Sequence, residues 1–425
     1  MNLKRYESLI IAFFVTIVRY YDYALFGLSA SLLSKNFMPH GDDGDQMLIF
    51  FAVFSLATIA RPIGSIIFGK IGDLVGRVVS VKISTVIAAM STCLVAVAPG
   101  FNSVGLLAVI IITFLRMLFL MSLAGEIDAI KIYVAEMIGK KRRHLVIGIV
   151  SFSSQIGVLF ASIAYHIAVS YEDVEWLWRV NFAIGGLLGL VVIFLRRRLL
   201  ESEEFLSSKS RTASEPNVGI IKVIGANKVK FALATIINGM LGGGYHFLII
   251  FFGTFAANVA DIIDNESAAA ANTVLISLYG IACLISGYVS DRFKIITQII
   301  AALVLSIFCT LVMEFLLGLR GYSVELHCIL VFLVPFYSIP CSVRIQSLFQ
   351  TGIRMRMCSL SHSVGSMVFS STTPFVCMLI WQSTEIVSLV LAYFLFQLGL
   401  LFFALLYMIK KDYISMFETT NNLVV

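Results

Sequence analysis

The chain of 425 residues is 59% hydrophobic and 13% charged, against about 45–50% and 25% in soluble proteins. That balance excludes an ordinary soluble enzyme, and a net charge of +6 is better explained by membrane topology than by nucleic-acid binding. A mean hydropathy of +0.95 over the whole length needs many apolar segments rather than one anchor. At roughly 30 to 40 residues for a span with its loop, the length holds about 10 to 14 helices.

In chain order, the opening MNLKRYESLIIAFFVTIVRYYDYALFG has a basic head, but it runs too long for a signal sequence and carries Arg19 and Asp22. It is expected to be a retained first span. Apolar stretches place spans at about 9 to 34, 48 to 68, 79 to 98, 103 to 135, 145 to 169 and 178 to 199. After a polar break at about 200 to 227, six more follow at about 229 to 257, 268 to 288, 296 to 318, 324 to 347, 358 to 381 and 386 to 409. The expected fold class is therefore an all-α membrane protein of twelve transmembrane helices in two six-helix halves. Its segments are residues 1–199, a central loop 200–227, a second half 228–411 and a short tail 412–425. With the N-terminus inside, 24 Lys and Arg fall on the inner segments and only Lys35, Arg179 and Arg320 outside. By the positive-inside rule both termini are cytoplasmic.

An ionised side chain near the bilayer centre costs about 2.5–3.5 kcal/mol on insertion scales, so such residues face a partner or a polar cavity. The candidates are Arg19, Asp22, Arg116, Glu126, Asp128 and Lys131. At 100° per residue, Arg19 and Asp22 lie about 60° apart and can pair. On the fourth span Arg116, Lys131 and Asp128 fall at about 0°, 60° and 120°, with Glu126 at about 280°. The carboxylates Asp22, Glu126 and Asp128 suit proton relay, with Asp128 and Lys131 alternatively forming a neutral structural pair. Arg19 and Arg116 suit the binding of a carboxylate, because a guanidinium keeps its charge and presents a planar fork. His246 is the one histidine with a case for proton coupling, weighed against a core histidine satisfied by its neighbours. Tyr23 and Tyr245 could line a path for a small polar solute or simply pack. Gly242, Gly243 and Gly244 suggest a bend or a close helix approach. The seven cysteines are scattered singly and read as small core hydrophobes. No Walker A sequence, metal-ligand spacing or nucleophile–base set stands in the chain, so neither catalysis nor any metal or other cofactor is expected.

SIIFGKIGD (65–73) and CLISGYVSD (283–291) repeat one layout, a helix end with Gly69 or Gly287 and then Asp73 or Asp291 four residues on. They occupy the same loop of each half, as in transporters built from repeats. Further motifs stand in order: YDYALFG (21–27), RPIGSIIFGKIGDLVGR (61–77), RMLFLMSLAGE (116–126) with YVAE (133–136), WLWRVNF (176–182), LLESEEF (199–205) and FQTGIRMRMCSLSHSVGSMVFSSTTP (349–374). Together they resemble the major facilitator superfamily, and within it the metabolite:proton symporter family. Arg19, Asp128 and Lys131 stand where that family usually has other residues. The resemblance implies a central cavity flanked by the first and fourth spans, and a cytoplasmic gate at Asp73, Arg77, Asp291 and Arg292. Members of the family carry dicarboxylates, tricarboxylates, shikimate-like acids, proline or betaines, and the motifs leave that choice open.

The expected function is secondary active transport of a small carboxylate-bearing metabolite across a bacterial inner membrane, by proton symport and alternating access. Its partners would be the solute, protons and the bilayer, with a monomer as the working unit. The alternative is a non-transporting receptor or scaffold on a diverged transporter fold.

Overall fold

The computed structural model describes residues 3–39, 41, 43–75, 77–138, 142–171, 174, 176–195, 219–260, 262, 265–320 and 323–411. Most of the expected central loop, the expected tail and the side chains of Asp73 and Arg77 lie outside the described parts. Among the described residues there is no strand, and twelve helices are long and apolar enough to cross a membrane. Spans 1 to 6 are Leu9–Leu28, Asp45–Ile71, Val79–Val97, Leu106–Ala135, Arg143–Ser170 and Leu177–Leu195. Spans 7 to 12 are Lys228–Ala257, Ala271–Ser290, Ile295–Leu317, Val324–Ser347, Ile353–Thr384 and Val387–Lys410. Several expected boundaries shift by a few residues. The first span stops at Leu28, and a separate short helix, Ala30–Phe37, follows Ser29. The fourth begins at Leu106, because Gly105 adopts φ 59° and ends the turn before it.

Each half packs its own spans, and the halves meet where span 5 lies along span 8 and span 2 along span 11. Span 3 shows how the sequence chooses faces. Val79, Ile83, Val86, Met90 and Leu94 recur every three or four residues and are exposed to the outside of the bundle, where lipid would lie. Ser84, Thr85, Ala88 and Ala89 on the other side are buried, and small residues let neighbouring helices approach closely.

Prolines remove backbone donors from spans 2 and 10. Span 2 is interrupted between Ala57 and Ala60. Pro62 has no N–H to offer the Thr58 carbonyl, so the Arg61 N–H donates to it at 2.9 Å, one residue early. This tightened turn sets where Arg61 emerges. In span 10, Pro340 cannot bond the carbonyl of Phe336, and Gln298 Nε2 of span 9 donates to that oxygen at 3.0 Å. Single π-helical stretches interrupt span 7 at His246–Phe251 and span 11 at Ser366–Ser370. Such bulges occur often at functional sites.

At the end of the bundle that carries the described chain ends, two seams join the halves. Asp291, just beyond span 8, accepts from the backbone N–H groups of His144 (3.2 Å) and Leu145 (3.0 Å) and lies 2.8 Å from His144 Nδ1. It thereby caps the N-terminus of span 5 from the opposite half. Beside it, Gly148 and Gly287 bring the two backbones together. In the second seam, Ser359 of span 11 donates to the Ala124 carbonyl of span 4 at 2.6 Å, and Ser65 of span 2 bonds Ser363.

Candidate functional site

Between the halves lies a cavity of about 170 Å³, room for several waters or a small solute. Both halves wall it: Tyr20, Tyr23, Arg61, Asp128, Lys131 and Gln155 from the first, and Asn238, Tyr245, His246, Tyr279, Gln346 and His362 from the second. Both π-helical stretches reach it, through His246, Ser366 and Ser370.

The charges sort into three groups. In the cavity wall, Asp128 of span 4 meets His362 of span 11, with Nδ1 at 3.1 and 3.0 Å from the two carboxylate oxygens. This bond joins the halves, and it gives Asp128 a partner outside the alternative Asp128–Lys131 pair. Lys131 lies one turn on in the same wall. Arg61, 4% exposed, bonds Ser366 of the opposite half through Nη1, while its Nε has no hydrogen-bond partner. An arginine so buried, with a donor unspent at a polar cavity, is primed to receive an acceptor.

The second group is Arg19, Asp22 and Glu126, all buried. Arg19 Nε donates to both Glu126 oxygens at 3.0 and 2.9 Å, and Ser84 donates to Glu126 Oε2 at 3.3 Å. Asp22 stands 4.0 Å from Arg19 Nη1, and neither of its oxygens has a hydrogen-bond partner. The expected pairing of Arg19 with Asp22 is present at 4.0 Å, but the hydrogen-bonded partner is Glu126, whose two oxygens share the one Nε–H of Arg19 and which cannot otherwise be buried as an anion.

Arg116 forms the third group alone. Its guanidinium carbon lies over the rings of Phe26 (4.3 Å), Phe119 (5.1 Å), Tyr23 (5.3 Å) and Phe54 (5.4 Å), and Nη2 donates to the Tyr23 carbonyl at 3.2 Å. Neither Arg19 nor Arg116, the expected carboxylate binders, is among the residues lining the central cavity. A carboxylate claims the first and an aromatic cage the second.

His246 does line the cavity, with Nδ1 2.9 Å from the Gly242 carbonyl and Nε2 3.1 Å from the Tyr23 hydroxyl. The carbonyl can only accept, so Nδ1 donates to it, and in the neutral imidazole Nε2 then accepts from the Tyr23 hydroxyl. The glycines before it permit close approach: a Cβ on Gly242 would collide with Ser370 Oγ, and one on Gly243 would meet Gln397 at 2.7 Å. Tyr245 reaches Gln155 Oε1 at 3.3 Å across the halves. Of the expected gate residues, Asp291 makes the cap described above, while Arg292 lies over the Tyr288 ring at 4.1 Å within its own half. Among the described residues no group of His, Cys, Asp and Glu could hold a metal ion.

Arg61 and His362 were not among the expected site residues. Arg61 carried a usable signal, a cation inside an apolar span beside a proline. His362 carried none beyond a polar run, SLSHS, at the start of span 11.

The sequence profile described as "Sugar (and other) transporter" matches residues 8–240. A citrate-proton symporter of Salmonella typhi is 26% identical over 277 residues, 64% of this chain and 63% of that protein. A putative proline/betaine transporter of Staphylococcus aureus (strain MSSA476) is 24% identical over 371 residues, 84% of this chain and 78% of that protein. The major facilitator superfamily proton:xylose symporter XylE, solved with 6-bromo-6-deoxy-D-glucose, superposes with a TM-score of 0.75 at 14% identity, covering 96% of this chain and 95% of that one. The fold is thus the major facilitator fold, and the chain belongs to the sugar (and other) transporter family.

Proposed function

We propose that the protein is a secondary active transporter of a small carboxylate-bearing solute, an organic acid or a zwitterion, moved by alternating access with proton symport. The observation that carries this reading is the charge of the cavity between the halves: among the described residues that line it, Arg61 and Lys131 stand against the one carboxylate of Asp128. An excess cation in a low-dielectric cavity favours an anionic group, and a guanidinium adds bidentate geometry. Tyr23 and Tyr245 line the same space and offer hydroxyls to the rest of the solute. Citrate and proline or betaine, the solutes named for the two relatives, both carry a carboxylate, which supports the same class.

Proton coupling is assigned to Asp22, Arg19 and Glu126. Two carboxylates share one guanidinium there, so the cluster is electrically balanced only with one added proton, and buried net charge is costly. The protein is assigned to a bacterial inner membrane as a monomer, with both termini cytoplasmic and with Asp291 and Arg292, with Asp73 and Arg77, at the cytoplasmic gate.

The test is uptake into liposomes holding the purified protein, with labelled citrate, proline and glycine betaine as probes and an imposed pH gradient. One probe should accumulate, and Arg61→Gln should lower its apparent affinity about tenfold or more, as expected for a charge-assisted pair. Equal competition by an ester or amide of that probe, in which the carboxylate charge is removed, would refute the carboxylate assignment. Binding without flux would make the protein a receptor.

A further inference from the structure

Beside the central cavity lies a smaller void of about 10 Å³, walled by Thr16, Arg19, Glu126 and Val150 among others, and sharing Lys131 and Ser154 with its larger neighbour. Its free volume matches one water molecule. Arg19 is 2% exposed, and both of its terminal nitrogens, Nη1 and Nη2, lack a hydrogen-bond partner while Nε is spent on Glu126. Buried donors without acceptors are costly, and in native proteins an ordered water commonly satisfies them. Thr16 Oγ1 donates to the Ala12 carbonyl at 2.8 Å, which leaves its lone pairs turned to accept. The void therefore holds what a water site needs: strong donors, an acceptor hydroxyl and a carboxylate within one small volume.

We propose that this void is a one-water relay that admits a proton from the central cavity to Glu126, and so into the cluster it forms with Arg19 and Asp22. The proposal rests on the reading of that cluster as the proton-coupling site. In the step, the relay water forms an O–H bond to a proton handed over by cavity water and releases another of its protons to a Glu126 oxygen. One proton moves, the water is regenerated, and no electron is exchanged. Tyr20, Lys131, Ser151 and Ser154 stand in the wall common to both spaces, so the two spaces adjoin across polar side chains. Thr16 and Val150 touch the void and not the cavity, which makes them positioning residues for the relay with no part in holding solute.

The experiment is a caged-proton pH jump on the full chain in lipid nanodiscs, read by time-resolved infrared absorption of the protonated carboxyl group. The parent should gain a carboxyl band, and Asp22→Asn should lose it, because one carboxylate and one guanidinium already balance. Val150→Leu adds a methylene to a space the size of one water, and Thr16→Val removes the acceptor hydroxyl without changing shape. Each should slow the band about tenfold at unchanged final amplitude. If Val150→Leu does not fold, the nearly isosteric Thr16→Val carries the test alone. Rates equal to the parent, or a loss of amplitude in either variant, would overturn the relay while leaving the cluster as the coupling site. A band that survives Asp22→Asn unchanged would overturn the cluster reading itself, and the relay with it.

Discussion

Replacing Gly148 by alanine is expected to push apart the halves at the seam between spans 5 and 8. A Cβ at Gly148 would stand 2.6 Å from the Cys283 carbonyl oxygen, about 0.8 Å inside the 3.4 Å at which ordinary contact begins. The obstacle is helix backbone, so no rotamer change relieves it. The reciprocal position is as tight, since a Cβ on Gly287 would meet the His144 oxygen at 2.7 Å and Leu145 Cα at 2.9 Å. Overpacking of this kind costs about 1–3 kcal/mol. Because that cost falls only on the conformer in which spans 5 and 8 are packed, it shifts the equilibrium toward the separated one by about 5- to 150-fold. Spin labels at the exposed positions Arg142 and Phe293 would report the separation by pulsed electron resonance. The variant should show a longer distance population with the bundle still folded. A distance distribution identical to that of the parent would refute the reasoning, because it would mean that the close approach does not hold the halves together.

Asp291→Asn removes the charge from the cap on span 5, worth about 1 kcal/mol at a helix N-terminus; the same labels should show a smaller shift in the same direction, and solute affinity should change less than threefold. Arg116→Ala opens the aromatic cage around the guanidinium and should lower stability by about 2 kcal/mol or more, seen as a drop in Tm. At a temperature where the variant is folded, solute affinity should be retained, and a loss of affinity without a loss of stability would return Arg116 to the binding site.

The twelve spans were legible because each is a long apolar run, and in a chain this hydrophobic the bilayer thickness alone sets their lengths. The repeated Gly–Asp layout was legible too, and Asp291 shows what that layout does: a carboxylate four residues past Gly287 reaches the first N–H groups of span 5 where the glycine has let the helices touch. The expected site charges were harder to place. Arg61 stood within a motif and was counted neither with the loop charges nor with the intramembrane ones, although an arginine inside an apolar span is itself the signal. The Asp128–His362 bond joins residues 234 positions apart, and nothing in the local spacing of either helix specifies that meeting.

Helical spacing gave angles but no depth, and depth decided the roles on span 4. Glu126 and Asp128 lie about 160° apart around the helix, so one had to face a neighbour within the half and the other the space between halves. The structure turns Glu126 to Arg19 and Ser84 and Asp128 to His362. Arg116 lies at an intermediate angle but about three turns earlier along the helix, level with Tyr23 and Phe26, whose rings cover it. Lys131, about 60° further round and about four turns on along the helix, lines the cavity. A cation on this span therefore faces the cavity or packs against rings according to its height and its angle. Height is set by which residues of span 1 lie opposite, so a carboxylate solute is expected to meet the cations at the level of Lys131 and Arg61 and to leave the deeper ones to the protein's own acids and aromatics.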